Sequence, residues 1–439
     1  MSRPEAPPAP TRLEQAVLDA VRTAARDGDL VRELTELVAV PSVTGTAAEH
    51  EAQAWTARRL TELDLDVDHW ALDLPALRSA PGFPGTEAPR DEGWGLVGTL
   101  PGAEAGAPSL VLAGHVDVVP TGDPATWDGD PYRARPGVRA GRDVLVGRGT
   151  CDMKAGVVAN LAAVRALREA GVVLAGTLAV HSVVGEEDGG LGAFATLARG
   201  HGGDACVISE PTSRRVVTAC AGALTFRLEV PGRAAHGSAR YEGTSAVTAF
   251  EPVHRALLEL ERERSACADP LMAGCPIPYP FSVGTVRAGD WASTVPDLLV
   301  AEGRYGVRLD ESPAQARAAF EQAVAAVCAA DPWLRDHPVR VTWWGGQFAS
   351  GRLPRKHPLL PLVQDAWTTA TGADAAPAER GAPYGSDLRL YAAAGIPALH
   401  LGPGDVRQAH TGGEDVPVAE LAEVAGALAL TAMRHCGVV

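Results

Sequence analysis

Leu110-Val111-Leu112-Ala113-Gly114-His115-Val116-Asp117 is an apolar run that ends in a histidine and an aspartate two positions apart. Side chains alternate along an extended chain, so His115 and Asp117 point to the same side. Acidic residues recur behind further strand-like runs: Asp152, the pair Glu186-Glu187 after residues 176–182, and Glu210 after residues 204–209. A second histidine, His410, follows the apolar run at residues 396–401. Strand-end loops are where open α/β sheets place their sites. One imidazole and several carboxylates gathered there are the donor set of a binuclear hydrolytic metal centre.

Glycine sharpens that reading. Gly114 precedes His115, Gly147 and Gly149 precede Asp152, and Gly185 precedes Glu186. Glycine permits tight turns and close backbone approach at a strand end. A pair of divalent ions about 3.5–4 Å apart needs one bridging carboxylate and further ligands on each side. Asp152 is the expected bridge, with His115 and Glu210 on one ion and Glu187 and His410 on the other. Asp117 is expected behind His115, fixing its tautomer. Glu186, beside a ligand, is placed to take a proton from the attacking water. Cys151 adjoins Asp152 and invites a nucleophile reading, but no paired base accompanies it, which leaves a small packing residue.

Composition narrows the class. A chain of 439 residues exceeds one ordinary core and implies two domains. The net charge of −15 argues against nucleic acid, which needs clustered Lys and Arg. No run approaches the roughly 20 apolar residues of a membrane span, so no membrane partner is expected. Seven scattered cysteines without a CxxC pair fit reduced thiols in a cytoplasmic protein. The Pro-rich start, residues 1–10, reads as a disordered lead-in.

The periodicity predicts helices over residues 11–38, 47–63 and 155–170, alternating with strands in an α/β layer architecture. Residues 75–92, rich in Pro and Gly, read as loop. From residue 216 the order becomes strand, helix, two strands, helix, strand, the ferredoxin-like split pattern. The expected organisation is a discontinuous catalytic domain, residues 11–215 and 347–439, interrupted by an inserted α+β domain at residues 216–346.

Gly114-His115-Val116-Asp117-Val118-Val119-Pro120, Gly147-Arg148-Gly149-Thr150-Cys151-Asp152-Met153-Lys154 and Gly185-Glu186-Glu187 resemble the signatures of one family. It is the dinuclear zinc amidohydrolase and metallopeptidase family that includes acetylornithine deacetylase, succinyl-diaminopimelate desuccinylase, aminoacylase and glutamate carboxypeptidase. The likeness extends to Ser209-Glu210-Pro211-Thr212, Gly402-Pro403-Gly404 and Ala409-His410-Thr411 with Glu414. The resemblance implies a zinc-peptidase-like α/β catalytic domain with an inserted ferredoxin-like lid through which a homodimer forms. It implies two Zn2+ ions, with Co2+ or Mn2+ as alternatives, and an N-acyl amino acid or dipeptide-like substrate. It also makes His236 an oxyanion-stabilising residue, acting across a dimer in many members.

Tyr384-Gly385-Ser386-Asp387-Leu388-Arg389 resembles the desuccinylase-like segment whose arginine grips a substrate carboxylate, a task suited to a guanidinium. Arg304 is a second candidate for it. One departure matters: many members carry Asn before the Val-Pro-Asp segment, where this chain has Ser293-Thr294-Val295-Pro296-Asp297. The expected reaction is amide hydrolysis, with deacylation first and a dipeptidase or carboxypeptidase as alternative. A non-catalytic binding protein would have lost a ligand or the base, and none is missing.

Overall fold

The computed structural model describes residues 10–439. The expected lead-in therefore lies outside the described residues, Pro10 excepted. The chain forms two compact units. The first runs to Thr218 and resumes over Arg352–Arg380 and Leu390–Val439. The second comprises Ala219–Gly351 and Gly381–Arg389. The second unit thus starts three residues later than the sequence pattern suggests, ends later, and takes in the segment carrying Arg389.

In the first unit the central strands lie in the order Leu178–Val183, Leu110–His115, Ala205–Pro211, Ala398–Gly402, all parallel. Asp66–Ala71 and Trp94–Leu100 extend the sheet antiparallel beyond Leu178–Val183. All four central strands are buried throughout. That is why they read as unbroken apolar runs rather than as alternating ones. Helix Lys154–Glu169 packs on Leu110–His115 and Ala205–Pro211, and also on the C-terminal helix Val418–Cys436. The latter is buried at Leu421, Val424, Leu428 and Leu430 among others.

The helical region expected over residues 11–38 is two helices, Arg12–Arg26 and Asp29–Val38. Gly28, at φ +81°, adopts the left-handed conformation between them and turns the chain. A three-stranded sheet of Arg135–Arg139, Arg142–Val146 and Asp415–Pro417 was not legible in the pattern. No helix among the described residues is long and apolar enough to cross a membrane.

The second unit is an antiparallel sheet in the order Phe281–Ala288, Leu298–Val307, Gly222–Pro231, Arg340–Phe348. Helices Ala246–Ala266 and Pro313–Ala330 supply the two α elements of the split pattern. Phe226, Phe281, Tyr305 and Phe320 form its aromatic core, with Leu224, Leu228, Val253 and Leu257 around them.

Candidate metal centre and its supports

His115 is the last residue of its strand and is 1% exposed. Its Nδ1 lies 2.9 Å from the backbone carbonyl of Asp117. A carbonyl only accepts, so Nδ1 carries a proton there and Nε2 faces the carboxylates. Nε2 is 3.1 Å from Asp152 Oδ1 and 3.7 Å from Glu210 Oε1. Burial works to discharge this ring, but Asp152, Glu210, Asp117 and Glu186 outweigh it and hold its pKa well above the usual histidine range.

His410 sits at φ +60° in an irregular turn after residues 406–408. Its Nε2 is 3.0 and 3.2 Å from the two carboxylate oxygens of Glu187 and 3.6 Å from Asp152 Oδ2. Glu187 chiefly raises its pKa to about 9. Asp152 therefore offers Oδ1 to one imidazole and Oδ2 to the other. Burial opposes its ionisation, but the two histidines hold its carboxyl below the ordinary value.

The carboxyl groups of Glu186 and Glu210 approach within 4.8 Å of His115, as do those of Asp152 and Glu187 in a second overlapping set. Glu186 is buried. The seven residues expected at the site, His115, Asp117, Asp152, Glu186, Glu187, Glu210 and His410, thus lie together in the first unit.

Asp117 does something the sequence did not suggest. Its carboxylate is 3.6 Å from His115 Nδ1, farther than its own carbonyl. Instead, Oδ1 accepts the N–H of Glu186 and Oδ2 that of Glu187, each at 3.2 Å. Thr44 donates its hydroxyl to Oδ2 at 2.9 Å. The carboxylate shapes the Glu-Glu turn, while the backbone carbonyl orients the imidazole.

Sequence reasoning gave no role to Arg148 or Glu414. Glu414 is fully buried, and its Oε1 accepts the N–H groups of Cys151 at 2.9 Å and Asp152 at 3.0 Å. Arg148 Nη1 donates to Glu414 Oε2 at 2.6 Å, and Nη2 reaches the carbonyl of Pro120 at 3.2 Å. This pair joins the loops that carry Asp117, Asp152 and His410. A usable signal was present: an arginine between two glycines and a glutamate four residues after a candidate ligand.

Asn160 accepts the Ser209 hydroxyl at 2.6 Å and so ties the strand before Glu210 to helix Lys154–Glu169. Burial pushes the Cys151 thiol well above its usual pKa, with Glu414 and Asp152 adding to it. Such a thiol is a poor nucleophile.

The remaining candidates belong to the second unit. His236 is exposed, caps residues 237–242 and pairs its Nδ1 with the Ser238 hydroxyl at 2.8 Å. Arg389 is 5% exposed; Nη1 donates to the Ser386 carbonyl at 2.8 Å, and its guanidinium lies 4.0 Å from the Phe348 ring centre. Arg304 approaches the same ring at 5.5 Å.

Known proteins share this framework. The chain is 28% identical over 407 residues to N-formyl-4-amino-5-aminomethyl-2-methylpyrimidine deformylase of Bacillus subtilis, covering 84% of this chain and 86% of that one. It is 30% identical over 348 residues to succinyl-diaminopimelate desuccinylase of Leptothrix cholodnii, covering 77% and 81%. Among solved structures, the di-peptidase Dug1p of Saccharomyces cerevisiae superposes with a TM-score of 0.76 at 13% identity, covering 96% and 98%. Human carnosine dipeptidase 1 superposes at 0.72 with 15% identity, covering 96% and 99%; both structures share the fold. With the family profile matched across residues 111–434, the chain belongs to peptidase family M20/M25/M40, metal-dependent hydrolases that cleave amide bonds.

Proposed function

We propose that this hydrolase removes an N-acyl group from an amino acid or a related small amine, using two divalent metal ions. The observation that carries the reading is Asp152, whose two carboxylate oxygens face His115 and His410 on opposite sides, with Glu186 beside them. Imidazole nitrogens mixed with carboxylates suit zinc, and cobalt or manganese as well. His115 and Glu210 would hold one ion, Glu187 and His410 the other, with Asp152 shared. When bound, the ions supply Lewis acidity toward the amide carbonyl.

The chain's own residues do the rest. Glu186 takes a proton from the attacking water and returns it to the leaving nitrogen. Asp117 holds Glu186 and Glu187 by their backbone N–H groups. His236, of this chain or of a second copy, is the hydrogen-bond donor to the developing oxyanion. Arg389 or Arg304 receives a substrate carboxylate. We further infer a cytoplasmic homodimer that associates through the inserted unit. All seven cysteines are free, and the edge strand Phe281–Ala288 exposes Val286, with Leu298 and Trp291 also exposed in the same unit.

The deformylase and desuccinylase names favour deacylation. Cleavage of dipeptides is the second reading, favoured by the names of the two dipeptidases of the same fold. Assay of acylated amino acids against dipeptides separates them. Glu186→Gln is expected to lower the turnover number by at least about 100-fold, the usual contribution of a general base, with metal content unchanged. Turnover near the wild-type rate in a metal-loaded variant would overturn the mechanism.

A further inference from the structure

Outside the seven site residues, a cation is buried in the first unit. Arg90 comes from the irregular Pro- and Gly-rich segment before strand Trp94–Leu100, yet its side chain is 1% exposed. Nη1 donates to Glu49 Oε2 at 2.8 Å, and Nη2 faces Asp188 Oδ1 at 3.6 Å. The other oxygen of Glu49 accepts the N–H of Gly185 at 3.1 Å. The other oxygen of Asp188 accepts the N–H groups of Glu87 at 3.1 Å and Ala88 at 2.9 Å. The guanidinium lies directly over Gly185, where an added Cβ would come within 2.9 Å of Nη2.

Three consecutive backbone donors, those of Gly185, Glu186 and Glu187, therefore end on buried carboxylates. The first belongs to Glu49 and the other two to Asp117. Asp188, next in the chain, is tied to the segment that supplies Arg90. A buried ion pair of this kind is weak evidence for stability, because desolvation offsets most of its attraction. Its effect here is geometric: it fixes the path of four residues, two of which are Glu186 and Glu187.

We propose that Arg90 is a positioning residue for the Gly185–Asp188 turn, setting where the Glu186 base and the Glu187 ligand stand. The inference rests on the reading of those two residues given above. His115 and Glu210 depend on it less, since both are carried by strands with parallel neighbours.

The test is a Co2+ titration of the full chain followed by visible absorption, with kcat and KM on the acylated amino acid that the wild type hydrolyses fastest. Arg90→Met is expected to weaken one of two cobalt affinities by about 10-fold or more, the usual cost of losing a ligand's support. The other affinity stays within about twofold, and kcat falls while KM holds. Arg90→Lys should fall between Arg90→Met and wild type. Glu49→Gln combined with Arg90→Met removes one of the two carboxylates that lose their cation, while Asp188 keeps the N–H groups of Glu87 and Ala88. That double variant should recover most of the lost melting temperature without recovering cobalt affinity or kcat. A purely structural role predicts the opposite: both cobalt affinities and kcat return together with the melting temperature. That outcome, or wild-type binding and turnover in Arg90→Met, overturns the inference. A wild type that binds fewer than two cobalt ions overturns the site reading itself, and this inference with it.

Discussion

The two imidazoles that face Asp152 are held in opposite ways. His115 ends a strand with parallel partners, is sealed from solvent, and has its far nitrogen fixed by a backbone carbonyl. His410 lies on a turn with a positive φ, has a side chain 53% exposed, and reaches the largely buried carboxylates of Glu187 and Asp152. One half of the centre is therefore built by the sheet. The other is built by loops that need something else to place them. The contrast assigns different costs to the two halves.

The largest effect is expected at the buried half. In the metal-free protein, His115→Ala leaves Asp152, Glu210, Glu186 and Asp117 without the cation among them. Removing one partner of a buried charge pair costs about 3 kcal/mol or more, so the variant should unfold at markedly lower urea and show no turnover. His410→Ala removes a half-exposed imidazole whose pKa Glu187 raises to about 9, and so takes a positive charge from beside Glu187 and Asp152. The urea midpoint in EDTA should fall by less than in His115→Ala, and one of two cobalt sites should be lost. Equal urea midpoints for the two variants would break the contrast.

A smaller effect is expected where the halves are joined. Glu414 belongs to the His410 loop and grips the backbone of Asp152, while Arg148 links it to Pro120. Glu414→Gln keeps the shape and an acceptor oxygen but leaves the Arg148 guanidinium without its anion. Activity or metal affinity should fall about 10- to 100-fold, the range for groups that orient ligands. The loss should be larger for the ion that His410 would hold than for the one that His115 would hold. A uniform loss at both, measured by cobalt titration, would mean that Glu414 supports the fold rather than the spacing.

The same contrast explains what the sequence disclosed. The central strands were legible because burial on both faces leaves continuous apolar runs, and ligand-type residues at their ends stand out against that background. The inserted unit was legible because its strands and helices come in unbroken order along the chain. The supports were not. Arg90, Glu49, Arg148 and Glu414 are charged residues, and a charged residue in a sequence reads as surface until the fold shows two opposite charges buried together. The role of Asp117 escaped for a related reason. It depends on where the N–H groups of Glu186 and Glu187 point, which no side-chain pattern encodes. The helix Val418–Cys436 was missed although most of its residues are buried, because its alanines and leucines run around most of its surface and leave no sharp stripe.

The smallest effect on catalysis sharpens the comparison from outside the centre. His181 lies on the neighbouring strand, paired in register with Ala113, and is as buried as His115. Among the described residues its hydrogen bond is to the Tyr391 hydroxyl, at 3.0 Å, and not to a carboxylate. Burial, with the nearby His201 adding to it, pushes its pKa down to about 3. The pKa values of two buried histidines on adjacent strands are thus pushed in opposite directions, and the difference is the carboxylates around His115. The pH consequence follows from the depressed value. Below the unfolded-state pKa near 6.5 the unfolded chain binds a proton at this position that the folded chain refuses. The stability contributed by neutral His181 is therefore present above pH ~6.5 and is lost as pH falls toward ~3, at up to about 1.4 kcal/mol per pH unit. His181→Gln, which stays neutral, should lessen the fall in the urea midpoint between pH 6.5 and 4 while leaving turnover at neutral pH unchanged. An identical acid slope in the variant would mean that His181 is already charged in the fold, and that carboxylates are not what separates it from His115.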